Sequence, residues 1–144
     1  MTYLLDNSTW VQATYDPAVA ARLAQHIRSG ELALCTVTAL EVLYSARNTA
    51  EYERDLARLR HLPWYDLSDP KAAVELQHQL ALRGWHRTPL PDVMIAATAA
   101  EHGLTVLHYD SNYERLAETA GLSHEWLPAR GSGHQRGGPP SRSL

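Results

Sequence analysis

Short apolar runs alternate with longer stretches of helical spacing along most of this chain. That alternation leaves room for little besides an α/β domain built on a mostly parallel sheet. Residues 3–5, 32–36, 64–67, 105–109 and 124–127 read as strands. Between them, Asp16-Pro17 supplies an N-cap followed by proline at the first helical position, and that helix runs through Ile27 until Gly30 ends it. A helix follows Thr38, a charged one spans 49–61 before Pro63, and Ser68-Asp69-Pro70 caps another that reaches Arg83, with Gly84 as its stop. Thr88-Pro89-Leu90-Pro91 is a rigid entry to a helix over 92–102 closed by Gly103. Apolar on nearly every side, this is expected to be the buried central helix. A last helix spans 111–120, which completes a single domain over residues 1–128. The glycine-, proline- and serine-rich residues 129–144 are expected to be a disordered C-terminal tail.

Several function classes fall away on composition. No apolar run approaches the roughly 20 residues of a membrane span. The N-terminus has no charged leading region and meets an acid at Asp6, too early for a secretory signal. A single cysteine, Cys35, excludes an intramolecular disulfide and fits a reducing cytoplasm. Between Leu34 and Thr36 it reads as a small buried strand residue. The eight histidines are scattered, with no zinc-like pair and no matching cysteines. The net charge of −3 does not advertise a nucleic-acid binder, although an acidic metal site subtracts charge that bound cations restore. Twelve of the thirteen strongly basic residues are arginine, the side chain that grips phosphate bidentately.

Four acids carry the chemistry. Asp6 closes Tyr3-Leu4-Leu5-Asp6; Glu41 lies inside Thr38-Ala39-Leu40-Glu41-Val42-Leu43-Tyr44; Asp92 opens Pro91-Asp92-Val93-Met94-Ile95-Ala96-Ala97-Thr98-Ala99; Asp110 ends Leu104-Thr105-Val106-Leu107-His108-Tyr109-Asp110. All four sit at strand ends or in early helical turns, positions that converge on one edge of an open parallel sheet, where such folds bind ligands. Carboxylates gathered there repel one another unless a divalent cation is present. Each also has a structural explanation. Thr38-x-x-Glu41 matches a capping box, Asp92 suits a first-turn dipole, and Asp110 before Ser111 suits an N-cap, with Ser111-x-x-Glu114 a further capping box. Asp6 alone answers no structural need of a terminal apolar strand. Four acids at one topological edge are more than capping predicts.

The opening Leu-Asp-Asn-Ser, the Thr-Ala-Leu-Glu-Val-Leu-Tyr-Ser helix, the Pro-Asp-Val-Met-Ile-Ala-Ala-Thr-Ala segment and the Leu-His-Tyr-Asp-Ser-Asn-Tyr segment together resemble PIN-domain proteins. More narrowly they resemble the VapC toxins of bacterial toxin–antitoxin pairs, over roughly residues 2–127. The resemblance implies a PIN-like three-layer α/β sandwich and a Mg²⁺- or Mn²⁺-dependent endoribonuclease that leaves 5′-phosphate and 3′-hydroxyl ends. It implies that Asp6, Glu41, Asp92 and Asp110 form the acidic quartet; since Mg²⁺ typically takes only one or two protein carboxylates, Asp6 and Asp92 are expected to be the main metal ligands, with Asp110 and Glu41 binding directly or through water. It also implies a homodimer and a cognate VapB-like antitoxin whose C-terminal segment blocks the acidic pocket. Two departures stand out. Many relatives carry Thr or Ser directly after the first aspartate, where this chain has Asn7 and then Ser8; many carry a further acid where it has Asn112. Ser8 and Asn112 are candidates to orient the ligands from behind, and the uncharged Asn112 bears on whether a second ion binds.

Further surfaces are legible. Arg83, Trp85 and Arg87 adjoin the entry to Asp92 and are candidates for substrate binding; Trp85 either stacks a base or seals the edge of the core. Arg47, Arg54 and Arg58, with Arg60 nearby, either track an RNA backbone or pair locally with the interleaved Glu51, Glu53 and Asp55. Helices between residues 49 and 84 are expected to form much of the antitoxin groove, with Leu56, Leu59, Leu76 and Leu80 serving either that groove or the core. Two rival functions remain. A phosphoacceptor domain needs paired acids after the first strand and a late lysine, whereas here Asn7 follows Asp6 and the lone lysine is Lys71. A catalytically inactive PIN-like RNA- or protein-binding module is the other.

Overall fold

The computed structural model describes residues 1–127, so the expected tail lies outside the described residues. Strand β1 (Tyr3–Leu5) leads into helices α1 (Asn7–Tyr15) and α2 (Pro17–Arg28), followed by β2 (Leu32–Ala33). Helices α3 (Thr36–Tyr44), α4 (Thr49–Leu59), α5 (Lys71–Leu82) and α6 (Leu90–His102) come before β3 (Thr105–His108), and α7 (Asn112–Ala120) and β4 (Ser123–Trp126) close the domain.

The sheet has the order β2-β1-β3-β4 and every pairing is parallel. From β1 the chain moves first to one neighbour, β2, and later returns on the other side as β3. The switch point of the topology therefore lies between β1 and β3. Helices cover both faces of the sheet, which is why β1, β2 and β3 are mostly buried and apolar. The edge strand β4, Ser-His-Glu-Trp, instead alternates exposed and half-buried residues. Leu4, Ala33 and Val106 point into a core shared with α5, α6 and α7, including Leu76, Leu80, Ile95 and Leu116. Leu5, Leu32 and Leu107 point the other way, into a core with Val19, Leu23, Val42, Leu43 and Leu59 from α2, α3 and α4. The result is a three-layer α/β/α sandwich. Leu59, Leu76 and Leu80 are buried and Leu56 packs against the second core, so these four leucines serve the core rather than an open groove.

Most predicted helices form close to where expected. Asp16 caps α2 through Ala18 N at 2.9 Å, Gly103 closes α6 in the left-handed region at φ 66°, and α6 is buried along most of its length. Four local expectations fail. The first concerns α1, a helix absent from the elements expected between Asp6 and Asp16. It starts directly at Asp6, whose carboxylate accepts from Ser8 N, so Asp6 does have a structural role as an N-cap. The second is the strand over 64–67, which shrinks to one bridge, Trp64 with Leu34. The third is the capping box at Thr38. Helix α3 begins three residues earlier, capped by the extended backbone of Cys35, which puts Thr38 inside the helix and Glu41 in its second turn. The fourth concerns Cys35, which is buried but ends the segment after β2 instead of lying within a strand, and burial pushes its thiol pKa up.

A distant carboxylate explains the early start of α3. Asp66 accepts from Thr36 N at 2.8 Å and from Thr36 Oγ1 at 2.7 Å, while Trp64 Nε1 donates to the same hydroxyl at 3.1 Å. The segment after α4 thereby satisfies a helix end from 30 residues away in sequence. Replacing Asp66 with Ala is expected to destabilise the domain by about 1–2 kcal/mol. Urea unfolding checks this, with Asp66→Asn retaining most of the stability because it keeps an acceptor.

Candidate active site

The sheet sets out its acids at the carboxyl ends of its two central strands. Asp6 follows β1, and its N–H continues the ladder to Leu107 O at 3.1 Å. Asp110 follows β3 by two residues, and Asp92 lies in the first turn of α6. All three carboxylates have no solvent exposure. Glu41, half-buried on α3, lines a pocket of about 350 Å³ together with Asn7, the residue after Asp6. The edge of the switch point thus gathers Asp6 and Asp110, with Asp92 tied to them through α7.

Hydroxyls from the helices finish the strand ends where the ladder stops. Thr9 Oγ1 donates to Leu107 O at 3.0 Å and Thr38 Oγ1 donates to Leu5 O at 2.8 Å. Ser8 does most here: its N–H and its hydroxyl both donate to Asp6 Oδ2, and Tyr109 N donates to Ser8 Oγ at 2.8 Å. One serine therefore orients the first aspartate and bridges the exits of β1 and β3. The neighbouring Asn7 has its carboxamide oxygen buried with no donor among the described residues.

The first turn of α7 holds the other side. Tyr113 OH donates to Asp6 Oδ1 at 2.7 Å, Asn112 Nδ2 donates to Asp92 Oδ2 at 3.2 Å, and Asn112 N donates to Asp110 Oδ1 at 2.9 Å. Two consecutive residues reach three buried carboxylates. Buried anions are tolerated when charge-assisted donors replace water in this way. Among the described residues no three His, Cys, Asp or Glu side chains already form a ready ligand set for one ion.

Tyr113 and His108 belong to this neighbourhood, and neither is among the site residues expected from the sequence. His108 is fully buried in a strand that is otherwise apolar apart from Thr105, and that anomaly is its one available signal. Its Nδ1 accepts from Asp110 N at 3.1 Å, so the remaining proton sits on Nε2, which donates to His124 Nδ1 at 2.8 Å. The ring packs against Tyr113, with centroids 4.8 Å apart. Tyr113 has no signal beyond its place in the Asp-Ser-Asn-Tyr segment.

The arginine candidates divide. Arg47 grips Glu51 at 2.7 Å, while Arg54 and Arg58 approach Asp55 at 3.7 and 3.5 Å and Arg58 also lies over Trp10. That stripe is a set of local pairs. Trp85 packs against the core, with Arg83 and Arg115 over its ring at 5.7 and 5.1 Å. It seals an edge, and guanidinium groups already lie on its ring. Arg83 also pairs with Glu118 at 2.6 Å, and Arg87 is exposed. Arg115, which no sequence motif singles out, extends this basic patch onto α7.

Burial, then the charge of His124, lowers the His108 pKa from 6.5 to about 3. The unfolded chain therefore binds a proton at this position that the folded chain refuses. The contribution of neutral His108 is fully present above the unfolded value and is lost as pH falls below it, through the window between the two. The stability difference between wild type and His108→Asn, which keeps an acceptor for Asp110 N–H, is expected to shrink by about 1.4 kcal/mol from pH ~7.5 to pH ~5.5. Chemical denaturation at a series of pH values measures it, and a pH-independent difference would contradict a buried neutral imidazole.

The profile of the PIN domain matches residues 3–119. Ribonuclease VapC51 of Mycobacterium tuberculosis (strain ATCC 25618 / H37Rv) is 34% identical over 134 residues, covering 92% of this chain and 97% of that protein. Ribonuclease VapC21 of the same strain is 38% identical over 135 residues, covering 90% and 96%. Among solved structures, VapBC2 from Rickettsia felis bound to a promoter DNA fragment aligns with a TM-score of 0.71 at 19% identity, covering 88% of this chain and 98% of that one. DNA-bound VapBC from Salmonella typhimurium aligns at 0.68 and 21%, with the same coverages. At such identities the structural matches speak for the fold.

Proposed function

Since the chain belongs to the PIN-domain family, we propose that it is a VapC-type endoribonuclease, the toxin of a toxin–antitoxin pair, hydrolysing RNA phosphodiester bonds until a VapB-like antitoxin neutralises it. The observation that carries this reading is the joining of Asp6, Asp92 and Asp110, three buried carboxylates from three separate elements, through one turn of α7 at the switch point. A structural acid needs one cap, not a shared clasp.

The donor set suits a hard divalent cation. It consists of carboxylate oxygens, with hydroxyl and amide groups behind them and no thiolate or imidazole oriented as a ligand. Mg²⁺ commonly takes only one or two protein carboxylates and keeps its waters, and Asp6 and Asp92 are the residues assigned that part, with Asp110 and Glu41 joining directly or through water. When bound, Mg²⁺ or Mn²⁺ offsets the charge of the phosphodiester and acidifies a water molecule.

The chain's own residues do the rest. Tyr113 and Ser8 fix both oxygens of Asp6, and Asn112 fixes Asp92 and Asp110, so the carboxylates need no reorganisation when RNA arrives. Glu41 retains solvent-facing surface and is placed to accept a proton from water at its carboxylate. The basic patch of Arg83, Arg87 and Arg115 beside the α6 entry is assigned to the phosphate backbone. Neutralisation is assigned to the antitoxin covering the acidic pocket, and the protein is assigned to the cytoplasm as a homodimer. Among the described residues no helix is long and apolar enough to cross a membrane.

Asp6→Asn and Asp92→Asn are each expected to reduce RNA cleavage in Mg²⁺ or Mn²⁺ by about 10²-fold or more, and chelator to abolish it in wild type. Full cleavage by both variants, or cleavage unchanged in chelator, rejects the assignment. An inactive binding module, by contrast, shows no carboxylate-dependent stabilisation by Mn²⁺ in thermal melts. Asn112→Asp removes a donor from Asp92 and adds a charge. Its Tm is expected to fall below wild type in chelator and to rise more steeply with Mn²⁺, which a melt series in both conditions reads out.

A further inference from the structure

The pocket beside Glu41 carries a feature the acids do not explain. Tyr44 stands one turn beyond Leu40 on α3 and is 91% exposed, and Leu40 is 62% exposed. Residues four apart share a helix face, so the two form one apolar ledge. Neither is in either core. Other exposed apolar side chains exist, such as Trp64, but its indole N–H is tied to Thr36. Leu40 and Tyr44 differ because they line a pocket together with Glu41, Ser45 and Asn7. That places a flat aromatic ring and an aliphatic floor next to an acid of the site, one residue from Asp6.

Building on the ribonuclease reading above, we propose that Tyr44 is a stacking platform for the base of a nucleotide flanking the cut phosphate, with Leu40 beneath it and Asn7 and Ser45 at the base edge. Single-stranded RNA is recognised mainly by stacking unpaired bases on exposed aromatic rings. At about 350 Å³ the pocket lies within the usual small-ligand range of roughly 300–1,000 Å³. The polar groups around it suit a base, which has apolar faces and a hydrogen-bonding edge. Ser45 Oγ donates to Val42 O at 2.7 Å, so its lone pairs remain free to accept from a base amine. Asn7 lines the same pocket beside Glu41 and Ser45. Continuity with the acid site favours a substrate base here over a protein partner: a base on Tyr44 sits next to Glu41, where the neighbouring phosphate has to lie for cleavage. Tyr44 is then a positioning residue that selects which phosphate enters the site.

The test uses the full chain. A randomised single-stranded RNA pool locates the preferred cut, and a defined oligonucleotide carrying that cut is then made with all bases intact and with an abasic nucleotide at each flanking position. For wild type, one abasic position is expected to lower kcat/KM by about 5- to 150-fold. Tyr44→Phe should behave as wild type. Tyr44→Ala should cut the intact oligonucleotide about as slowly as wild type cuts the abasic one, and should no longer distinguish the two. Tyr44→Ala that keeps the wild-type ratio between intact and abasic RNA overturns the proposal. So does an equal loss on both substrates accompanied by dissociation in light scattering, which assigns the ledge to contact between copies of the chain. Asp6→Asn runs in parallel: if it cuts as wild type does, the ribonuclease reading itself fails, whatever Tyr44 does.

Discussion

Three carboxylates without solvent exposure cannot be held together without donors, and the domain's architecture follows from supplying them. Leaving one buried carboxylate without partners costs several kcal/mol, and three in one place compound the cost through mutual repulsion. The first turn of α7 answers most of it: Tyr113 serves Asp6, and Asn112 serves Asp92 and Asp110. Ser8 answers the rest from α1. Helices α1, α6 and α7 are therefore tied to the ends of β1 and β3 through charge as well as through apolar packing. Each such hydrogen bond is worth about 1.5–3 kcal/mol, of the same order as a buried leucine.

The sheet makes that arrangement possible. In the order β2-β1-β3-β4 the chain departs from β1 in opposite directions, which leaves a crevice at the carboxyl ends of β1 and β3 that no crossover fills. Side chains close it instead. Thr9 and Thr38 cap strand-end carbonyls, and Ser8 spans from Asp6 to Tyr109 N. Where a backbone ladder stops, hydroxyls complete it. Beside it, Glu41 and the Leu40–Tyr44 ledge of α3 line a pocket with Asn7, the residue after Asp6.

Much of this is legible in the amino-acid sequence. Proline at the start of α2, glycines after α2, α5 and α6, and the unbroken apolar run of α6 are local signals with local causes, and they place those elements well. Where expectation and fold part, the local signal is outweighed by a distant residue or is missing altogether. Thr38-x-x-Glu41 has the spacing of a capping box, yet Asp66 caps α3 from beyond α4 and moves its start to Thr36. Helix α1 is hard to read because its buried residues, Ser8, Thr9 and Gln12, are polar and leave no apolar stripe. Arg47, Arg54 and Arg58 have the spacing of a binding stripe but are occupied by Glu51 and Asp55. Trp85 has the chemistry to stack a base, but it packs on the core beneath two guanidinium groups, one of them from α7.

The amino-acid sequence by itself determined the fold class and the helices that carry their own start and stop residues, and it singled out four acids, of which Asp6, Asp92 and Asp110 are joined through α7. These depend on side-chain periodicity and on interactions between residues a few positions apart, which a linear pattern records. Tertiary structure alone decided how the acids are held. Tyr113 meets Asp6 across 107 positions, Asn112 meets Asp92 across 20, and Ser8 meets Tyr109 across 101. Such contacts leave no spacing in the sequence, because their geometry is set by the pairing of β1 with β3 and the packing of α7 over it. Asn112, which in the linear pattern marks a missing acid, becomes in three dimensions the donor that serves two of the acids present.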